Sequence, residues 1–407
     1  MSQFVQLSRQ AIFDRTRKTE AYELFYFDDK DGSETDVNTK SATAKVLSVM
    51  LNQIGMQNCI GKTMAFVNID ASFLLTNIFN ILPKDRFVFE IPSSIVLTNK
   101  EAENVKDLHS KGYVFAIGDV VLSDLFMEKF SRILPYIKYL KLNTAKNYIT
   151  YVSENIEDLS KTYRLIAEKI DTEETFRIYY ELGFHYFQGY LLHKPTDLKQ
   201  HRLDPKHIGV TRIFRMLQSP DTSIDSVAIE FERHNELSIQ LLNYLISTEM
   251  YCIPNVDSIR DIVNWLGKDS LMGWLMLSVY SKSGHTIAAE KSRLSVFLSR
   301  RIDIMNAIIE NAAHSDKEKV RRQVQFMALL TVLKDIYGLT FDDLLGAFEF
   351  DETVIRSVVT GKGVLAHVYK ITKTIEKKGF DVAEVNKMLR PYYTDFASIL
   401  NRLKKSA

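Results

Sequence analysis

Seven polar side chains fall inside or directly after short apolar runs in the first half of the sequence. A polar side chain in such a run is costly to bury unless it meets a partner or a metal ion. Taken singly, a strand carboxylate is more often a solvated or hydrogen-bonded residue, but seven in order on successive runs indicate one shared site. These residues are Glu23, Asn68, Glu90, Asp119, Lys141, Glu168 and Gln188.

The residue types in this set define the chemistry that they could perform. Carboxylates and an amide offer the hard oxygen ligands that Mg²⁺ and Mn²⁺ prefer. Two such ions about 4 Å apart can hold the attacking and leaving oxygens of a phosphodiester. A lysine paired with a carboxylate can orient or deprotonate water. The set therefore predicts a metal-assisted phosphodiester site, either working or decayed.

The elements that must position these residues alternate between strand-like and helix-like segments. Seven or eight strand–helix repeats in about 190 residues predict a parallel sheet closed into an α/β barrel of the TIM type, with its site at the carboxyl ends of the strands. The predicted strands are Val5–Phe13, Glu20–Phe27, Met64–Ile69, Phe87–Ile91, Tyr113–Ile117, Ile137–Leu142, Arg164–Glu168 and the region around Phe184–Gln188.

After Lys194-Pro195 the strand-like runs disappear and helical periodicity continues to the end of the chain. Because 407 residues exceed what one core usually serves, we expect a barrel over residues 1–198 followed by an all-α domain over residues 199–407. Trp265 and Trp274 lie on apolar helical faces and are predicted to be core residues. None of the histidines in this half is followed by aspartate, so no His–Asp metal pair is expected there.

The bulk composition is that of a globular protein, with 46% apolar and 25% charged residues. A net charge of +1 gives no long-range field that would favour nucleic acid or an anionic membrane as a partner. The first residues lack a signal-peptide pattern, and the apolar runs are shorter than the roughly 18 residues of a membrane span. Cys59 and Cys252 match no metal-ligand spacing, and a reducing, cytoplasmic location is expected.

The order and spacing of the first-half motifs resemble the EAL family of cyclic di-GMP phosphodiesterases, whose fold is a TIM-like barrel. The second half resembles the HDOD module, a helical relative of HD-type phosphohydrolases, over residues 223–245, 256–267 and 325–338. The EAL resemblance rests on residues 9–14 (RQAIFD), 22–24 (YEL), 67–68 (VN), 89–91 (FEI), 116–119 (AIGD), 140–143 (LKLN), 166–168 (IAE) and 188–190 (QGY).

The EAL resemblance assigns a role to each of the seven polar residues. It implies that Lys141 and Glu168 are the pair that handles the attacking water, and that Gln188 is a ligand-binding polar residue on the last strand. By the same resemblance, the metal ligands are Glu23, Asn68, Glu90 and Asp119.

Two of the departures from the EAL pattern remove contacts with metal and with phosphate. Gly118 stands where active members carry the first of two adjacent aspartates, which ligates metal directly. Phe27 replaces an arginine that grips the nucleotide phosphate, which removes a bidentate cationic donor. We therefore expect the site to be a remnant, without efficient hydrolysis.

The resulting expectation is a cyclic di-GMP-related bacterial signal transduction protein. Its inactive EAL barrel would act as a nucleotide sensor or scaffold, with no resident cofactor, and its HDOD domain would bind a protein partner. The alternative is an active phosphodiesterase that depends on Mg²⁺ or Mn²⁺. A third possibility is a barrel that binds neither metal nor nucleotide and serves assembly alone.

Overall fold

The computed structural model describes residues 4–26, 40–201, 207–281, 293–310, 317–337, 340–377 and 379–406. Phe27 lies outside these residues. The chain divides into two compact units. The barrel unit comprises the described residues of 4–200 and 273–281, and the helical unit comprises those of 201–272 and 293–406.

Eight strands close into a barrel in the first unit. They are β1 (Phe4–Asp14), β2 (Thr19–Phe25), β3 (Met64–Asn68), β4 (Phe87–Pro92), β5 (Val114–Val120), β6 (Tyr139–Asn143), β7 (Arg164–Glu168) and β8 (Tyr186–Phe187). From β2 to β8 each strand is parallel to the next. A ninth strand, β9 (Thr196–His201), pairs with β1 and was not predicted. The barrel with helices around it agrees with the TIM-like fold expected from the sequence.

Strand β1 departs from the parallel sheet that was predicted, because it runs antiparallel to both β2 and β8. Only residues 15–18 separate β1 from β2. The Asp14 carboxylate accepts the backbone N–H groups of Thr16 at 2.8 Å and Lys18 at 2.9 Å. A connection this short forms a hairpin, whereas a parallel crossover needs a dozen or more residues.

Helices follow the strands on the outside of the barrel. Three of them begin where capping residues satisfy free N–H groups. Thr98 and Glu101 form a reciprocal capping box, and Thr172 accepts the N–H of Thr175. The helices of the barrel unit are α1 (Lys40–Val49), α2 (Met56–Ile60), α3 (Asn99–Ser110), α4 (Asp124–Phe130), α5 (Ile149–Thr162) and α6 (Glu173–Glu181). A π-helical turn, Met50–Ile54, follows α1, and 3₁₀ turns lie at Phe73–Leu75, Asn77–Ile81 and Leu134–Tyr136.

A layer of apolar side chains fills the barrel interior, with one residue from each of seven strands. Because side chains alternate between the two faces of a strand, the positions two residues further along each strand also face the interior. The apolar layer consists of Ile12, Ala21, Phe66, Val88, Ala116, Tyr139 and Ile166. It forms the floor of the site described below.

The second unit consists mainly of helices. They are α7 (His207–Gln218), α8 (Ile224–Glu232), α9 (Asn235–Thr248), α10 (Ile259–Ser281), α11 (Arg293–Ile309), α12 (Lys317–Tyr337), α13 (Phe341–Ala347), α14 (Glu352–Val359), α15 (Val364–Glu376), α16 (Val382–Leu389) and α17 (Phe396–Ser406). Helix α10 is broken at Gly267, where φ is +71°. From residue 273 onward, α10 belongs to the barrel unit.

A buried arginine links three of these helices. Arg301 on α11 is fully buried and makes a bidentate ion pair with Glu376 on α15, at 2.8 and 2.7 Å. It also donates to Asp335 and Thr331 on α12, each at 3.0 Å. Because a buried charge needs paired hydrogen bonds, these contacts fix how α11, α12 and α15 pack.

Two expectations for the second half were wrong in detail. The unit is not purely α, because β10 (Ile253–Val256) and β11 (Phe348–Phe350) form a short parallel sheet. Its four paired residues are β-branched or aromatic, types that suit strands, but the runs are too short to stand out from helical periodicity. Trp265 is also not a core residue, since 47% of it is exposed. Trp274 is buried as predicted, and its indole N–H donates to Asn52 at 3.1 Å in the barrel unit.

Candidate functional site

A second interior layer, this one polar, lies directly above the apolar layer of the barrel. It is found by moving two residues towards the carboxyl end of each parallel strand, and two residues back along the antiparallel β1. Its members are Gln10, Glu23, Asn68, Glu90, Gly118, Lys141, Glu168 and Gln188. Six of the seven residues predicted from the sequence are therefore brought together, and we call the set the polar layer.

Lys141 lies at the centre of the polar layer and is only 1% exposed. Its ammonium donates to Glu23 Oε2 and to Glu90 Oε2, each at 2.8 Å. Glu168 Oε2 lies 3.5 Å from the same nitrogen. All three carboxylates are themselves buried. The lysine thus holds side chains from β2, β4 and β7 around one positive charge.

Two amides complete the contacts around Glu23, and a third amide, that of Gln10, contacts one of them. Asn68 Nδ2 donates to Glu23 Oε1 at 3.0 Å, and Gln188 Nε2 donates to Glu23 Oε2 at 2.7 Å. Gln188 Nε2 also donates to Gln10 Oε1 at 3.1 Å, and Gln10 Nε2 donates to the carbonyl of His193 at 3.0 Å. Both Glu23 oxygens therefore have partners, while Gln188 Oε1 and Glu168 Oε1 are buried acceptors without one.

Burial and the central charge act in opposite directions on the protons of this layer. Burial raises the pKa of Glu90 to about 8, although the charge of Lys141 opposes it. Burial likewise raises the pKa of Glu168 against the effect of Lys141. Burial alone would lower the pKa of Lys141, but Glu23, Glu90 and Glu168 outweigh it and hold that pKa above its ordinary value. Lys141 is therefore charged at neutral pH.

Asp119, predicted as a metal ligand, lies apart from the polar layer. The pairing of β5 with β6 shifts register after Ile117, and Asp119 has φ of +52°. Its carboxylate accepts from Asn143 at 2.5 Å and from Lys146 at 2.7 Å. The ammonium of Lys169 lies 3.4 Å from Oδ1 of the same carboxylate. Partial burial tends to raise the pKa of Asp119, but the lysines and the Asn143 amide outweigh it and lower that pKa.

On β5, Gly118 rather than Asp119 occupies the interior position, so this strand contributes no ligand to the polar layer. The physical reason is the period of two along a strand: Gly118 lies two residues after the interior residue Ala116, and Asp119 lies one residue out of phase. The two adjacent aspartates of the EAL pattern would have placed a carboxylate at both positions.

The donor atoms of the polar layer do not fit a divalent cation as they are arranged. Mg²⁺ needs near-octahedral oxygen ligands at about 2.0–2.1 Å, whereas the Oε2 atoms of Glu23 and Glu90 are taken up by an ammonium. Gly118 offers no side-chain oxygen. Among the described residues, no group of three His, Cys, Asp or Glu side chains is arranged to hold a metal ion.

Sequence reasoning did not single out Gln10 as a member of the site. Gln10 belongs to the motif at residues 9–14, but β1 was expected to be parallel to its neighbours. Because β1 is antiparallel, the residue that reaches the polar layer lies before Ile12 in the sequence and not after it. The signal that could have found it is the phase of β1: Gln10 and Ile12 share a face, and Ile12 belongs to the apolar layer.

The fold and site together define an eight-stranded α/β barrel whose strand ends converge on a buried lysine with three carboxylates. No family model matches the chain. It is 24% identical over 401 residues to the cyclic di-GMP phosphodiesterase CdgJ of Vibrio cholerae, across 94% of this chain and 90% of that protein. It is 23% identical over 384 residues to the uncharacterized protein YuxH of Bacillus subtilis, across 92% of this chain and 91% of that protein.

Similar solved structures cover about half of the chain. The EAL domain of Mycobacterium smegmatis DcpA has a TM-score of 0.38 and 18% identity, over 47% of this chain and 92% of that chain. A Klebsiella pneumoniae BlrP1 complex with manganese and cyclic di-GMP has a TM-score of 0.40 and 16% identity, over 49% of this chain and 60% of that chain. The Vibrio relative agrees with the EAL resemblance drawn from the sequence. Within the described residues, no helix has the length and apolar character of a membrane span.

Proposed function

We propose that this chain is a cyclic di-GMP-related signal transduction protein whose EAL-type barrel does not hydrolyse the nucleotide efficiently. The observation that carries the proposal is the position of Lys141, whose ammonium takes up one oxygen each of Glu23 and Glu90 at 2.8 Å. The resemblance implies that these same oxygens would ligate catalytic metal. A two-metal mechanism needs its ligands held in a defined geometry, and in the polar layer Lys141 takes up one oxygen from each of two of the expected ligands.

The barrel is proposed to act as a sensor of cyclic di-GMP. Two buried acceptors without partners, Glu168 Oε1 and Gln188 Oε1, lie at the carboxyl ends of the adjacent strands β7 and β8. Acceptors of this kind can receive N–H or O–H groups of a ligand, because an unpaired buried acceptor costs free energy that a donor recovers. Lys141, expected with Glu168 as the water-handling pair, is assigned here to the structure of the site, and Glu168 and Gln188 are assigned to ligand contact.

The helical half is proposed to be an HDOD module that binds a protein partner, with the division between the two domains near residue 198. Support comes from the sequence resemblance and from the exposed Trp265, whose ring packs edge-on against Tyr251 with centroids 5.7 Å apart. Aromatic side chains at exposed positions are enriched in protein interfaces. The proposed output is a contact made by this unit when the barrel binds nucleotide.

One pair of measurements tests the proposal. The purified chain is incubated with cyclic di-GMP and Mg²⁺ or Mn²⁺ while the linear dinucleotide is followed by chromatography, and nucleotide binding is titrated by calorimetry. Binding without turnover is the expected result. Turnover that Glu23→Ala removes would overturn the proposal, provided that Glu20→Ala, on the same strand but the opposite face, leaves it intact. If the chain shows neither binding nor turnover, the remaining possibility is a barrel that serves assembly alone.

The second candidate is an active phosphodiesterase. The observation that favours it is the Vibrio relative, which is named as such an enzyme and aligns with 94% of this chain. The polar layer also keeps Glu23, Glu90, Lys141 and Glu168 together. If this candidate is correct, cations must displace Lys141 from the carboxylates, and turnover should rise with the concentration of Mn²⁺ until the site is filled.

A further inference from the structure

Gly118 is the one member of the polar layer without a side chain, and the space beside it is occupied by Glu90. A β-carbon built on Gly118 would stand 1.8 Å from Glu90 Oε1 and 2.6 Å from its Cδ. Real side chains do not approach so closely, so residue 118 and the carboxylate of Glu90 compete for the same volume. Gly118 does not have the positive φ that favours glycine over other residues. Glycine is therefore needed at this position because it leaves room for Glu90, and not because of its backbone conformation.

The carboxylate that uses this space is the one that Lys141 holds. Glu90 is 4% exposed, and its second oxygen, Oε2, lies 2.8 Å from the ammonium. Both oxygens are thus placed by neighbours, one beside Gly118 and the other on Lys141. A β-carbon at position 118 would force the Glu90 carboxylate to rotate, which would weaken or break its contact with Lys141.

We propose that Gly118 closes the polar layer: by lacking a β-carbon it lets Glu90 turn onto Lys141, and the layer closed in this way rejects divalent cations. This concerns the same site as the proposed function and deepens it, but it does not depend on whether the barrel binds cyclic di-GMP. On this proposal, the polar layer does not bind a divalent cation because Glu90 is held on Lys141. The missing side-chain ligand at position 118 is not the only cause.

Alanine at position 118 separates these two explanations, because it adds a carbon atom but no metal ligand. If the number of ligands alone decides, Gly118→Ala should bind Mn²⁺ no better than the native chain, and only Gly118→Asp should gain affinity. If the position of Glu90 decides, Gly118→Ala should already gain affinity, since Glu90 is released from Lys141 and becomes available.

The experiment titrates Mn²⁺ into the full chain and measures free Mn²⁺ by electron paramagnetic resonance. We expect the native chain to show no saturable binding up to about 1 mM, a concentration that corresponds to about 4 kcal/mol of binding free energy. Gly118→Ala should bind at least about tenfold more tightly, and the double variant Gly118→Ala/Glu90→Ala should lose that gain. Tight binding by the native chain, or no gain in Gly118→Ala while Gly118→Asp binds, would overturn the inference.

Thermal unfolding provides a second test, which also shows whether each variant folds. Gly118→Ala should lower the melting temperature in the native background but not in a Glu90→Ala background, because the competing carboxylate is then absent. An equal loss in both backgrounds would show that residue 118 clashes with something other than Glu90, and would refute the inference without any metal measurement. Neither readout uses turnover, so a failure here is distinct from a failure of the proposed function.

Discussion

Replacing Lys141 with methionine tests how the barrel interior is held together. Methionine has a similar length and keeps most of the packing, so the loss is mainly that of the ammonium. That ammonium makes two contacts of 2.8 Å and one of 3.5 Å to buried carboxylates. Removing one partner from a buried ion pair costs about 3–5 kcal/mol, because the remaining charges are left uncompensated. We expect a loss of this size in the unfolding free energy of the barrel unit.

The assay is urea unfolding followed by circular dichroism, with Lys138→Met as the matched control. Lys138 precedes the same strand but is exposed, so its replacement should change stability by no more than about 0.5 kcal/mol. The loss in Lys141→Met should also shrink as the pH falls, because the glutamates can take up protons once the ammonium is gone. A Lys141→Met variant as stable as Lys138→Met at about pH 8.5 would refute the grouping of the carboxylates on the lysine.

Three further outcomes are expected. Because the pKa of Glu90 is raised to about 8 from an ordinary value of 4.5, the folded state holds a proton that the unfolded state releases between these values. Stability should therefore fall as the pH rises from about 4.5 to 8, and Glu90→Gln should flatten this part of a pH series of urea melts. Arg301→Met should destabilise the helical unit by about 3–5 kcal/mol, whereas the exposed neighbour Arg300→Met should be close to neutral in the same melts. Ser223→Ala should cost about 1 kcal/mol in chemical unfolding, because the Ser223 hydroxyl caps α8 by accepting the Ser226 N–H; an unchanged midpoint would show that the cap contributes nothing.

The barrel was predictable because its strands and helices have distinct periodicities. Each apolar run that was expected to be a strand forms one, and helices lie between the strands as the alternation predicts. The direction of β1 was not predictable from periodicity, because hydrophobic alternation is the same for parallel and antiparallel strands. Only the length of the connection between Asp14 and Thr19, which is too short for a crossover, carries that information.

The membership of the site was largely predictable, whereas its arrangement was not. Polar residues in apolar strands identified Glu23, Glu90 and Lys141, since such residues must find partners inside the barrel. Which partners they contact depends on which residues of each strand face the barrel interior and on where neighbouring residues leave room for a side chain. The position of Asp119 outside the layer and the turn of Glu90 into the space at Gly118 arise from the packing of several strands.

The most direct test of the central claim is the hydrolysis of cyclic di-GMP by the native chain over a range of Mn²⁺ concentrations. Formation of the linear dinucleotide is compared with that in Glu23→Ala and in the surface control Glu20→Ala. We predict product formation by the native chain no faster than by Glu23→Ala at every Mn²⁺ concentration. Product that increases with Mn²⁺ in the native chain and in Glu20→Ala, but is absent in Glu23→Ala, would contradict the claim that the barrel does not hydrolyse the nucleotide.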